Sequence, residues 1–137
     1  MSAYEATQAL TESFIDLALG IPIAYENVNI DPPNDGIFAV LSTLPAIAES
    51  LGKAPTGDAD QTDGIFQASF YSPSGIGYGE ILTLIDAVLA FYKHTRVLTK
   101  NTQDVQIQNS GRNVGRNEDG WFIIDVSIEF FYYLNRT

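Results

Sequence analysis

From Ala3 to Leu19 the apolar residues Ala6, Leu10, Phe14 and Leu17 fall on one line, with Glu5, Glu12 and Asp16 on the wet side. Ser2 suits an N-cap, Gly20 a stop, and Pro22 follows, so a helix is predicted over Ala3–Leu19. Between Ile65 and Tyr71 the period shortens to two. Phe66, Ala68 and Phe70 share one side, and Ile65, Gln67, Ser69 and Tyr71 the other, as in a half-buried strand. Pro73 then removes a backbone donor, and Gly75, Gly77 and Gly79 loosen the chain. The helical period returns with Ile81, Leu84, Ile85, Val88, Leu89 and Tyr92. Glu80 in its first turn and Lys93 and His94 near its last match the helix dipole. A strand that turns sharply into an apolar-striped helix lays that helix across its own sheet, and this unit is the expected centre of the fold.

Around it, Ile23–Ile30 reads as a strand, Asp31–Gly36 as a proline-fixed turn, and Gly36–Leu44 as a second strand. Pro45–Leu51 stays open between a helical turn, which local propensity favours, and extended chain. Gly52–Asp63 is expected to be a polar loop, and Arg96–Lys100 and Asp104–Gln108 short strands. Asn109–Gly120 is expected to be a long polar loop, well beyond the roughly two to five residues of an ordinary hairpin tip, and mobile in an isolated subunit. The last segment, Trp121–Leu134, alternates again. Its even positions run from Phe122 through Ile124, Val126, Ile128 and Phe130 to Tyr132 and Leu134. Its odd face is polar in the middle, at Asp125, Ser127 and Glu129, and apolar at the ends, at Trp121, Ile123, Phe131 and Tyr133. The even face should pack on the helices and the strand should lie beside Ile65–Tyr71. The fold class is therefore α+β: an antiparallel or mixed sheet of about five or six strands with two helices on one face.

The 137 residues suit a single domain, residues 1–137. A chain of this length buries roughly two-thirds of its unfolded surface and needs no staple. It has no cysteine, which excludes disulfides, thiolate catalysis and cysteine-based zinc sites. No apolar run approaches the ~20 residues of a membrane-spanning helix. Met1–Gly20 lacks a basic start followed by an apolar run, so no signal peptide is expected. Charge is uneven: residues 1–95 hold twelve acidic and two basic residues, whereas residues 96–137 hold five of each. This is no footprint for gripping nucleic acid. It reads as a solvated acidic surface, or as unlike ends that meet between neighbours.

Candidate chemistry is sparse. Gly75-Ile76-Gly77-Tyr78-Gly79 stands where a dinucleotide fingerprint would, but the spacing is wrong and Glu80 occupies the phosphate position. Asp58–Gly64 resembles the start of a calcium loop, with glycine seventh instead of sixth and Ser69 where glutamate belongs. His94, the one histidine, has no nucleophile or orienting group near it in sequence. No catalytic residue, cofactor site or metal site is expected.

Two stretches carry a family resemblance. One is the strand G-I-F-Q-A-S-F-Y-S-P (Gly64–Pro73), followed by a glycine-containing turn and a helix with I-D-A-V-L-A-F (Ile85–Phe91). The other is the upstream I-A-Y-E-N-V-N-I-D-P-P (Ile23–Pro33). Together, in this order over Ile23–Tyr92, they resemble the tail terminator proteins of long-tailed, lambda-like bacteriophages. The resemblance favours extended chain at Pro45–Leu51. It implies a structural virion protein at the head-proximal end of the tail, assembled in the host cytoplasm. It also implies a hexameric homo-oligomer that caps the tail tube protein, ends tube polymerisation and offers a surface to the head–tail connector or neck. DNA would pass through such a ring without specific binding. A neck protein is the alternative within virion assembly, and a small-molecule-binding or hydrolytic α+β domain the alternative outside it. The candidate contacts with another subunit or the tube are Arg112, Val114 and Arg116, as an arm, and Trp121, Phe131 and Tyr133, at the ends of the last strand.

Overall fold

The computed structural model describes residues 3–25, 36–50, 59–75, 77 and 79–135. Helix α1 (Ala3–Asp16) leads into β1 (Ile23–Tyr25), β2 (Phe38–Ser50) and β3 (Ala59–Pro73). Helix α2 (Gly79–Phe91) is followed by β4 (Val97–Lys100), β5 (Gln103–Arg112), β6 (Arg116–Glu118) and β7 (Trp121–Asn135). The strands form one mixed sheet ordered β1-β2-β3-β7-β5-β4, with β6 also paired to β7. Among the described residues only the β1–β2 pair is parallel. The α+β class holds, with seven strands among the described residues where about five or six were expected.

The central unit forms because its two periods bury the same side. β3 and β7 pair in register along their whole lengths, so Phe66 lies opposite Ile128, Ala68 opposite Val126 and Phe70 opposite Ile124. All six are buried. Ala6, Leu10 and Phe14 of α1 and Ile81, Ile85 and Val88 of α2 close over them, together with Tyr92 just beyond α2. Phe14 meets Phe66 and Phe70 at ring-centroid separations of 6.3 and 6.1 Å. Each large apolar side chain so buried contributes about 1.5–3 kcal/mol by its transfer from water. Tyr92 is fully buried, and its hydroxyl lies 2.6 Å from Ser13 Oγ, which donates to the Leu10 carbonyl. Burial raises the Tyr92 pKa, the Ser13 hydrogen bond opposes the shift, and the Asp16 charge adds to it. The phenol therefore joins the helices as a neutral group.

Several boundaries differ from the sequence reading. α1 ends at Asp16, where Leu17 N and Ala18 N bond back to the Phe14 and Ile15 carbonyls and Ala18 turns to φ 51°. The first predicted strand is observed at Ile23–Tyr25; its remainder and Asp31–Asp35 lie outside the described residues. Pro45–Ser50 is extended, because pairing with β3 outweighs the local helical preference, with an irregularity between Pro45 and Ala48. The predicted loop Gly52–Asp63 is strand from Ala59 onward, held on both sides by β2 and β7. Asp58 lies outside the described residues, and Asp60 and Asp63 stand in that strand. Gly64 sits where the chain passes under Phe130: a Cβ there would lie 2.7 Å from Phe130 Cζ.

The largest correction concerns Asn109–Gly120. Residues 109–112 continue β5, and Arg116–Glu118 pair with Ile123–Trp121 as β6. Asp119-Gly120 is the two-residue tip of that hairpin, with both φ values positive. Of the expected long loop, only 113–115 lies outside a strand or the hairpin tip.

Candidate assembly interface

The side of the sheet opposite the helices is built from alternate residues of β2, β3, β6 and β7. One end is aromatic. Phe38 stacks on Tyr71 at 4.7 Å, and Trp121 sets its edge against Phe38 at 5.1 Å. Phe38 and Ile123 are buried there and Trp121 is half-buried. Trp121 is thus anchored within its own chain.

The middle is polar and centred on Asp125. Its carboxylate accepts from Ser69 Oγ at 2.7 Å, Arg116 Nη1 at 2.8 Å and Asn113 Nδ2 at 3.1 Å. Asn113 Oδ1 in turn accepts the Asp125 backbone N–H, and the Asn113 N–H donates to the Asp125 carbonyl. Burial alone would raise the Asp125 pKa. The hydrogen bonds from Ser69, Arg116 and Asn113 and the Arg116 charge outweigh it and hold the carboxyl below its ordinary value. Arg116 also donates from Nε to Glu118 at 3.1 Å. Its guanidinium is held above its ordinary pKa, chiefly by the Asp125 hydrogen bond. Expected as part of a free arm, Arg116 is instead paired within its own chain, because the β6–β7 hairpin brings it over Asp125.

The other end is apolar again. Leu44 lies opposite Ile65, Ile65 opposite Glu129, and Asp63 opposite Phe131. Phe131 and Tyr133 meet edge to face at 5.8 Å. Leu44 is 50% and Tyr133 36% exposed. Trp121 and Phe131 stand roughly 33 Å apart along the strand, so the predicted contacts of β7 belong to two patches.

Arg112 and Val114 occupy a third place, the turn between β5 and β6. The Arg112 side chain is exposed and bonds only to the neighbouring Asn113 carbonyl among the contacts described. Val114 is 90% exposed. The turn overhangs an open groove of about 550 Å³ walled by Leu82 of α2 and floored by Phe122 and Ile124. Gly115, at φ 95°, permits this approach: a Cβ would lie 2.8 Å from Phe122 Cζ and 3.1 Å from Ile124 Cγ1.

His94 is exposed at the end of α2, with Nδ1 2.7 Å from the carbonyl of Gln108. Gln108 is the residue at which the β5–β7 register shifts, so this contact braces a bulge. No group of three or more His, Asp and Glu residues is arranged to hold a metal ion among the described residues. Sequence reasoning missed Asp125 as the hub of a network and missed that Leu44 and Ile65 share the outer face with Phe131. The strand alternation carried both signals, but only register brings the residues together.

Exposed apolar side chains stand on the outer sheet face (Leu44, Tyr133) and at the β5–β6 turn (Val114), and also on α1 (Tyr4, Ile15) and β4 (Val97). The chain belongs to the phage tail terminator family: the family model for the phage tail terminator protein matches residues 5–130, covering nearly every element described above. It is therefore a structural component of the phage tail, and so of the virion. A solved structure 19% identical in sequence aligns over 96% of this chain and 96% of its own, with a TM-score of 0.78, which shows a shared fold. A search of curated proteins found no significant match.

Proposed function

We propose that this protein closes into a hexameric ring on the head-proximal end of the finished tail tube. The ring stops tube polymerisation and presents its free surface for head attachment. The observation that carries this reading is the family match over residues 5–130. The fold is compatible with it. Ring contacts are heterologous and join unlike surfaces of one chain, and this subunit exposes apolar residues both at the β5–β6 turn and on the outer sheet face. The net charge of −10 suits a channel that lets DNA pass without holding phosphate.

On this reading Arg112, Val114, Phe131 and Tyr133 are contact residues. Arg116 is a positioning residue that fixes the turn through Asp125, and Trp121 stiffens the opposite end of the sheet. The partners are the tail tube protein on one side and the connector or neck on the other, and assembly takes place in the host cytoplasm. The test is electron microscopy of tail tubes polymerised with and without the purified protein. Rings at one end and arrested growth are expected. Tubes that keep growing with no density at their ends would overturn the proposal.

A further inference from the structure

We propose that the Arg112–Val114 turn of one copy docks on the outer-face patch of a second copy, made by Leu44, Ile65, Phe131 and Tyr133 and flanked by Asp63 and Glu129. The inference rests on the ring reading and says which surfaces meet. Charge and polarity fit on both sides. The turn offers an apolar tip, Val114, beside Arg112, whose guanidinium has no carboxylate partner among the described residues. The patch offers four apolar side chains on one face of three adjacent strands. Beside them, Asp63 accepts only from Gln61 among the contacts described, and Glu129 is exposed with no cation paired to it among the described residues. Arg112 and Glu129 line one shallow groove within a single chain yet form no ion pair there. Both charges are therefore available to a neighbour.

Shape supports the same partner. The turn is a projecting corner at the free end of β5, while the patch is an open sheet face near the far end of β7. The Asp125 network locks the turn through Asn113 and Arg116, so little conformational freedom is lost on docking. Since turn and patch are different surfaces, each copy uses its turn on one neighbour and its patch on the other, and the contact propagates head to tail.

The chain has no cysteine, so introduced thiols report this contact without background. Val114→Cys is combined with Leu44→Cys in one variant and with Tyr133→Cys in another, with circular dichroism confirming the fold. Each is oxidised in the presence of tail tubes. At least one pair should give a ladder of covalent oligomers above the dimer on a denaturing gel, while Val114→Cys alone should give none. Raising salt before oxidation should weaken the ladder, because the Arg112 contacts are screened. Rings visible on tubes with no ladder from either pair would overturn this inference and leave the ring reading standing. A product that stops at dimers would replace the head-to-tail contact with a two-fold one. Absence of both rings and cross-links would overturn both.

Discussion

The two faces of one sheet are built from neighbouring residues of the same strands, yet they follow different rules. On the helix side, Phe66, Ala68, Phe70, Ile124, Val126 and Ile128 form an unbroken buried layer. On the other side, the intervening residues pass from an aromatic cluster through the Asp125 network to a patch that leaves Leu44 half-exposed. The first face meets the demands of folding, where these six side chains exclude water. The second carries apolar area that the isolated subunit leaves in water. That is the surface the ring proposal assigns to a neighbouring copy.

The contrast is open to attack from the inner face outward. Phe70→Ala removes a fully buried ring that packs on Phe14 and should destabilise the fold by about 3–5 kcal/mol in urea titration. A small effect would mean that the helix layer is not the core. Gly64→Ala forces a Cβ against the Phe130 ring and should cost about 1–3 kcal/mol by the same measurement.

The polar middle comes next. Asp125→Asn weakens the hydrogen bonds from Ser69, Arg116 and Asn113 and should cost about 1–2 kcal/mol at neutral pH. The Asp125 pKa is lowered in the folded state. Its contribution is therefore complete above the ordinary value of 3.8 and is lost as pH falls through the lower folded value. The stability gap between wild type and Asp125→Asn should shrink across that acid window, which thermal melts at several pH values would read. A gap independent of pH would mean that the carboxylate charge is not what holds the turn.

Outermost, Leu44→Ser and Val114→Ser should each change stability by no more than about 0.5 kcal/mol, as surface substitutions do, while reducing tube capping. Loss of stability with normal capping would invert the proposed roles of the faces.

Much of the inner face was legible in the sequence because its signal is periodic and local. The alternation of Phe66, Ala68 and Phe70 and the helical stripe from Ile81 to Tyr92 each identify their element within a dozen residues. The outer face was legible only along β7, whose apolar ends and polar centre are seen as expected. That Leu44 and Ile65 complete the patch depends on register across three strands, which no local pattern encodes. Asn109–Gly120 was misread for a different reason. Its polar residues suggest a solvated loop, but the Asp119-Gly120 pair is a tight hairpin signal, and it folds Arg116 back onto Asp125. Pro45–Ser50 went to strand because the adjacent strand β3, and not its own composition, supplies its pairing.

The central claim, that folding uses one face and assembly the other, is tested most directly by hydrogen exchange on the free protein and on the protein bound to tail tubes. Added protection is expected in the backbone around Leu44, Asp63–Ile65, Arg112–Gly115 and Glu129–Tyr133, with α1 and the core of α2 unchanged. Protection confined to the helices, or the same exchange in both states, would contradict it.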